Sequence, residues 1–234
     1  MMASAAQAAE IKVMASVAIK DAYNELVPAF EKASQHKVVT EWVPTVEMMR
    51  RLGAGEAPDL VIMAGSGVDK LITDGKLAAG SRVDIAKSGI GVGITKGTPK
   101  PDIGSADALA KTLRSAKSVA YSTGPSGVYL AGLFEKMGLT AELKPKLKVI
   151  QGEPVGDVVA RGDAEIGFQQ VPELLPVKGI DYIGALPAEI QQITVFASAV
   201  PVGAKQGDAA KALVTFLKTP AAAAAFKKTG MEPG

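Results

Sequence analysis

The sequence has no cysteine, one histidine and one tryptophan. Without cysteine there is no disulfide, no thiolate metal site and no cysteine nucleophile. The lone histidine, His36, excludes a histidine-clustered metal site and argues against a Ser-His-Asp triad. Aromatics make up 5% of the residues, which leaves few platforms on which bases could stack. Lys and Arg number 26 against 24 Asp and Glu. That balance implies no nucleic-acid partner. No run of about 18 uninterrupted apolar residues occurs, so the chain is not membrane-embedded. What remains is 234 residues, 47% of them hydrophobic and 21% charged. That much apolar material can offset the entropy of ordering the backbone. The chemistry left to this chain is that of hydroxyls, amides, backbone N–H groups and carboxylates, with no cofactor expected.

The opening ten residues are small and apolar up to Glu10, and Ala6-Gln7-Ala8 fits a small-x-small cleavage site. This predicts an exported, periplasmic protein whose truncated signal precedes a mature start near Ala9. Downstream, short apolar runs alternate with small-residue loops and helical patterns. Ile11–Ala15 reads as a strand and Asp21–Ala33 as a helix with Ala22, Leu26, Ala29, Phe30 and Ala33 on one face. Lys37–Val43 is the next strand, Val46–Ala54 a helix, Asp59–Ala64 a strand, Gly65-Ser66-Gly67 its turn, and Val68–Asp74 a helix. A second series starts after Lys87: a strand at Ile90–Thr95, a helix at Ser105–Leu113, then strand–helix pairs beginning at Val119, Lys148 and Glu165. The strand Ile193–Val200 and helices Asp208–Lys218 and Pro220–Lys228 close the chain.

Strands alternating with helices predict an α/β fold of two mostly parallel sheets with flanking helices. The strands near Ile90–Thr95 and Thr194–Val200 are read as a two-strand hinge. This gives a bilobed protein, with 11–86 and 196–234 as lobe 1 and 87–195 as lobe 2. A ligand is then expected in the cleft, at the carboxyl ends of the strands.

Loops in those positions are rich in hydroxyls, amides and glycines: Ser16-Val17-Ala18, Pro44-Thr45-Val46, Gly65-Ser66-Gly67, Thr123-Gly124-Pro125-Ser126-Gly127, Glu153-Pro154-Val155 and Gln169-Gln170-Val171. Each delivers a helix start, whose unpaired N–H groups and dipole favour an anion. Thr45 and Ser126 also fit as plain N-caps. The Thr123–Gly127 loop lacks the Lys-Ser/Thr ending of a phosphate-binding P-loop. Gln169 and Gln170 stand at a strand end, where a buried amide needs partners, and ligand contact is expected there. His36 is expected to be exposed, and Met48 and Met49 to pack in the core. Glu47, in the first turn of its helix, reads either as an acid or base at the cleft or as a surface ion pair with Arg50 and Arg51. Lys20 and Arg161 are candidates to neutralise a ligand carboxylate.

Ile11–Ala15, Arg50…Ala54-Gly55…Asp59-Leu60, Pro125–Tyr129, Glu153-Pro154-Val155 and the closing Phe216…Gly230 segment resemble the molybdate-binding protein family, type II solute receptors of ABC importers. The resemblance implies that the family's ligand contacts fall on Ala18 (with Ser16 near), Thr45, Ser126, Val155 and Gln170. A family serine is thereby lost at Ala18, and a tyrosine hydroxyl becomes the amide of Gln170. With Thr123 and Gln169, this set suits planar carboxylates. The resemblance also extends to the family's aconitate isomerases, in which Glu47 and Lys20 would be the candidate catalytic groups. Three readings follow. The first is an exported receptor that holds a small di- or tricarboxylate and hands it to an ABC permease. The second is a cofactor-free aconitate isomerase, and the third a molybdate or tungstate receptor.

Overall fold

In the computed structural model, residues 8–234 are described. The expected cleavage site at Ala6-Gln7-Ala8 lies mostly outside them. The chain forms two units: the chain up to Lys87 together with Val195–Gly234, and Ser88–Thr194.

Unit 1 is built from β1 (Glu10–Ala15), α1 (Lys20–Ser34), β2 (Lys37–Trp42), α2 (Thr45–Gly53), β3 (Leu60–Ala64), α3 (Gly65–Thr73) and β4 (Val83–Ser88). After unit 2 it is completed by β10 (Thr194–Ala199), α9 (Gly207–Phe216), α10 (Pro220–Lys228) and β11 (Glu232–Pro233). Its six strands run in the order β11-β4-β10-β3-β1-β2. β1 pairs in parallel with β2 and with β3, whereas β10 lies antiparallel to β3. The sheet is buried on both faces, and its alternating side chains feed two cores. Ile11, Val13, Leu60 and Ile62 pack with Tyr23, Phe30, Leu213 and Phe226 of α1, α9 and α10. Met14, Val61 and Met63 pack with Met48, Leu52 and Val68 of α2 and α3. Each fully buried Leu, Ile or Phe among these contributes about 2 kcal/mol. Buried Asp59 ties the sheet to α9: its carboxylate accepts from the N–H groups of Lys12, Lys205 and Gln206 at 2.9, 3.0 and 2.8 Å.

Unit 2 contains β5 (Ile90–Thr95), α4 (Ala106–Ser115), β6 (Val119–Ser122), α5 (Pro125–Lys136), α6 (Thr140–Leu143), β7 (Leu147–Ile150), α7 (Val155–Ala160), β8 (Ile166–Gln170), α8 (Val171–Leu174) and β9 (Ile180–Ala185). The sheet order is β7-β6-β8-β5-β9, with β6, β7 and β8 parallel and β5 antiparallel to both β8 and β9. Val119, Tyr121 and Phe168 face a core with Leu109, Leu130 and Phe134. On the other face Ala120 packs with Val155, Val159 and Leu174. Both sheets are therefore mixed, a parallel block joined to antiparallel strands.

Three local expectations change. Gly65-Ser66-Gly67 is the first turn of α3, not a separate turn. A Cβ on Gly67 would stand 3.1 Å from Met63 Sδ and 3.2 Å from Thr45 Cγ2, so tight packing selects glycine there despite its poor helix propensity. In α1 the buried face is Ala22, Tyr23, Leu26 and Phe30, while Ala29 and Ala33 are exposed. His36 is partly buried, because its Nδ1 accepts the Ala9 N–H at 3.1 Å.

Candidate functional site

The parallel strands of unit 1 end together at one sheet edge, so the loops after Ala15, Trp42 and Ala64 are neighbours in space. Backbone hydrogen bonds lock this edge: Ser16 N donates to Ile62 O at 2.8 Å and Val43 N to Ala15 O at 2.9 Å. Ser16 and Thr45 are buried there. The Ser16 hydroxyl accepts from Ala18 N at 3.4 Å, and Thr45 Oγ1 accepts from Ala64 N at 3.5 Å. Both hydroxyl protons stay available to a ligand, because each oxygen acts here as an acceptor. Ser66, in the first turn of α3, is exposed. Ala18 differs from its implied role, since its N–H is directed at Ser16 and its side chain lies in the core.

The matching edge of unit 2 carries the ends of β6, β7 and β8. Here α5 starts hard against its own strand: a Cβ on Gly127 would stand 1.6 Å from Ser122 O, so only glycine fits. Ser126 is 2% exposed in the first turn of α5, and its hydroxyl bonds no other described residue. Thr123, in the loop before it, is exposed. Val155 stands at the start of α7, but its N–H is taken by Gln169 Oε1 at 3.0 Å, and its side chain is buried. Its implied role as a donor to ligand is therefore filled internally.

Gln169 and Gln170 are 4% and 1% exposed. Adjacent residues of a strand point to opposite faces, so the two amides meet different partners. Gln170 turns to the ends of its own unit. With its amide oriented for best pairing, the nitrogen donates to Ser88 Oγ at 3.0 Å and Gly89 O at 3.2 Å, and the oxygen accepts from the Thr194 hydroxyl at 2.9 Å. Gln169 Nε2 donates to Glu173 Oε1 at 2.7 Å. Both amides, expected to reach a ligand, have partners within the chain, as burial demands.

Glu173, the third residue of α8, is the functional candidate that sequence reasoning missed. It is partly buried, and among the described residues no cation lies within 4.0 Å of it. Desolvation pushes its carboxyl up to about 7, against the hydrogen bonds from the Gln169 side chain and the Gln170 N–H, which pull it down. The chain Val155 N–H, Gln169, Glu173 thus presents an oriented carboxylate that titrates near neutrality. The signal available in the sequence was a glutamate four residues after Gln169, at the strand end, and three after the helix N-cap, Gln170.

Glu47 and Lys20, the expected catalytic candidates, have these surroundings in unit 1. Glu47, its side chain 42% exposed, forks onto Arg50 at 2.6 and 2.8 Å, and those hydrogen bonds hold its carboxyl below the usual range. The surface ion pair is the reading that fits. Lys20 is exposed, with Nζ 5.9 Å from the centre of the Trp42 ring. Trp42 in turn packs edge-on against Tyr23 at 5.6 Å. Arg161 pairs with Glu153 and Asp163 rather than standing free for a ligand. The same holds for Arg50, Arg51, Arg82 and Arg114, so every arginine in the sequence has a carboxylate partner. No arginine is therefore free for an anion at these edges, where hydroxyls and backbone N–H groups are the donors in place.

Residues 11–232 match the family model described as bacterial extracellular solute-binding protein, and the chain belongs to that family. It is 40% identical over 229 residues to an aconitate isomerase of Pseudomonas sp, covering 95% of this chain and 87% of the relative. It is 31% identical over 242 residues to a molybdate-binding protein of Azotobacter vinelandii, covering 98% and 92% of the two chains. A solved periplasmic molybdate-binding protein from that organism superposes with a TM-score of 0.79 over 96% of this chain and 99% of its own, at 19% identity, and shares the fold. The architecture is accordingly that of the type II periplasmic binding proteins. Among the described residues no helix is long and apolar enough to cross a membrane.

Proposed function

We propose that the chain is an exported, cofactor-free isomerase that interconverts cis- and trans-aconitate. The observation that carries this reading is the 40% identity to an aconitate isomerase across 95% of the chain. Two features of the residues support it. The hydroxyl set implied by the molybdate resemblance is broken at Ala18, which has no hydroxyl, and at Gln170, whose amide pairs with Ser88, Gly89 and Thr194, so a tetrahedral oxyanion would lose two donors. The donors that remain, Ser16, Thr45 and Ser66 in unit 1 and Thr123 and Ser126 in unit 2, with the helix starts of α2, α3 and α5, suit carboxylates. In each unit taken by itself, such donors can pair with carboxylate oxygens, and donors of this kind absorb the negative charge that develops as a proton leaves carbon.

A receptor reading stands second and is supported by the family itself: the same donors would hold a di- or tricarboxylate for delivery to an ABC permease, unchanged. Incubation with trans-aconitate, followed by proton NMR, separates the two. The isomerase reading expects cis-aconitate to appear in proportion to enzyme. Saturable binding with no cis isomer at high enzyme concentration would leave a receptor. Tight binding of molybdate in preference to tricarboxylates, seen as a larger rise in Tm, would point instead to an oxyanion receptor.

A further inference from the structure

We infer that the Glu173 carboxylate is the base that carries the proton in this isomerisation, with Gln169 as its positioning residue. The inference rests on the isomerase reading above and names the group that reading leaves open. Glu173 follows directly from the carboxyl end of β8, at the sheet edge where the Ser126 loop also ends. One of its oxygens is fixed by Gln169 Nε2 at 2.7 Å, and that amide is itself fixed by the Val155 N–H at 3.0 Å. The carboxylate is thereby aimed without being neutralised. Other carboxylates of unit 2 are spent differently: Glu142 and Glu153 on arginines, Asp181 and Glu189 on the exposed N–H groups of Gly97 and Ala106. Glu173 is the partly buried carboxylate whose only side-chain partner is neutral.

The proton balance is simple. Glu173 takes a proton from the substrate methylene, and the electron pair of that C–H bond becomes the new C=C bond to the central carbon. The old π pair moves to the far carbon, which receives the proton from Glu173. The carboxylate is regenerated, and no water, oxidant or reductant is used. A base whose pKa lies near the working pH is well matched to giving the proton back as well as taking it. The elements packed against α8 add few competing groups. β5 and β8 carry no titratable side chain, α7 carries exposed Asp157, and neighbouring β9 carries Asp181 and Tyr182. Lys178 is exposed beyond the helix.

The test compares wild type and Glu173→Gln in turnover of trans-aconitate and in calorimetric binding of propane-1,2,3-tricarboxylate, the saturated analogue that cannot isomerise. The expected result is a fall in kcat of about 100-fold or more, with the Kd for the analogue changed less than about 3-fold. In wild type, kcat falls as pH drops through about 7, as Glu173 protonates. Turnover by Glu173→Gln within about 3-fold of wild type would overturn the inference and leave the isomerase reading intact. Loss of analogue binding along with turnover would overturn it too, because Glu173 would then serve to hold the site together. No turnover by wild type despite analogue binding would remove the isomerase reading first and this inference with it.

Discussion

Glu47 and Glu173 occupy the same position in two helices, the third residue of α2 in unit 1 and the third residue of α8 in unit 2. A glutamate there complements the helix dipole and often caps the backbone. Their surroundings then divide them. Glu47 is held by a forked arginine, so its carboxyl sits below the usual range. Glu173 is partly buried and held by amides, so its carboxyl rises to about 7. Two carboxylates with the same helical address thus differ in chemistry because one is paired with an arginine while the other is desolvated and paired with neutral amides. The sequence motif cannot distinguish them, and the neighbours decide.

The widest separation between the two is expected in catalysis. Glu173→Gln loses about two orders of magnitude or more in kcat, whereas Glu47→Gln stays within about 2-fold of wild type. Steady-state assays on both variants check this, and equal losses would erase the contrast.

Stability against pH gives the next largest effect. A carboxyl whose folded pKa lies above its unfolded value makes the native state bind more protons between about 4.5 and about 7, so stability falls as pH rises through that window. At about 1.4 kcal/mol per pH unit, Glu173 costs at most about 3.5 kcal/mol at pH 8. Glu173→Gln should therefore unfold several degrees above wild type at pH 8 and close to it near pH 4. Glu47→Gln should show no such gain, since a lowered carboxyl contributes stability above its usual pKa. Calorimetric scans at the two pH values measure the difference.

Gln169→Leu removes the donor that favours ionised Glu173 and leaves the Val155 N–H without its partner. It should destabilise by about 2 kcal/mol and move the lower midpoint of the pH–rate profile upward. A profile that does not move would mean Gln169 does not orient the carboxylate. The smallest effect belongs to unit 1: Arg50→Met should let the Glu47 carboxyl return toward its usual range with no measurable change in Tm or kcat.

Much of this architecture was legible in the chain itself. The apolar runs of β1, β3, β5 and β10 and the amphipathic stretches of α1, α4 and α10 announce themselves by period. Ser105 caps α4 as its sequence position implies, accepting from Ala108 N at 3.1 Å. β4 and β9 were missed because Val-Asp-Ile-Ala-Lys-Ser and Ile-Asp-Tyr-Ile-Gly-Ala mix polar residues into short segments, a pattern that edge and antiparallel strands tolerate. Of the candidate site, the hydroxyls at Ser16, Thr45 and Ser126 stand at strand-end loops where alternation of strands and helices puts them. The partners of Gln169 and Gln170 were not legible, because Val155, Ser88 and Thr194 are distant in sequence and only the sheet brings them together. Glu173 escaped for the same reason: its place three residues after the N-cap is shared with Glu47, and desolvation depends on contacts that local sequence does not encode.

The comparison rests on a base poised near neutrality in unit 2, and carbon-detected NMR of protein labelled at the glutamate side-chain carboxyls tests it most directly. One resonance should titrate with a midpoint near 7, absent from Glu173→Gln and retained in Glu47→Gln. A spectrum in which every glutamate carboxyl has titrated by about pH 5 would contradict it.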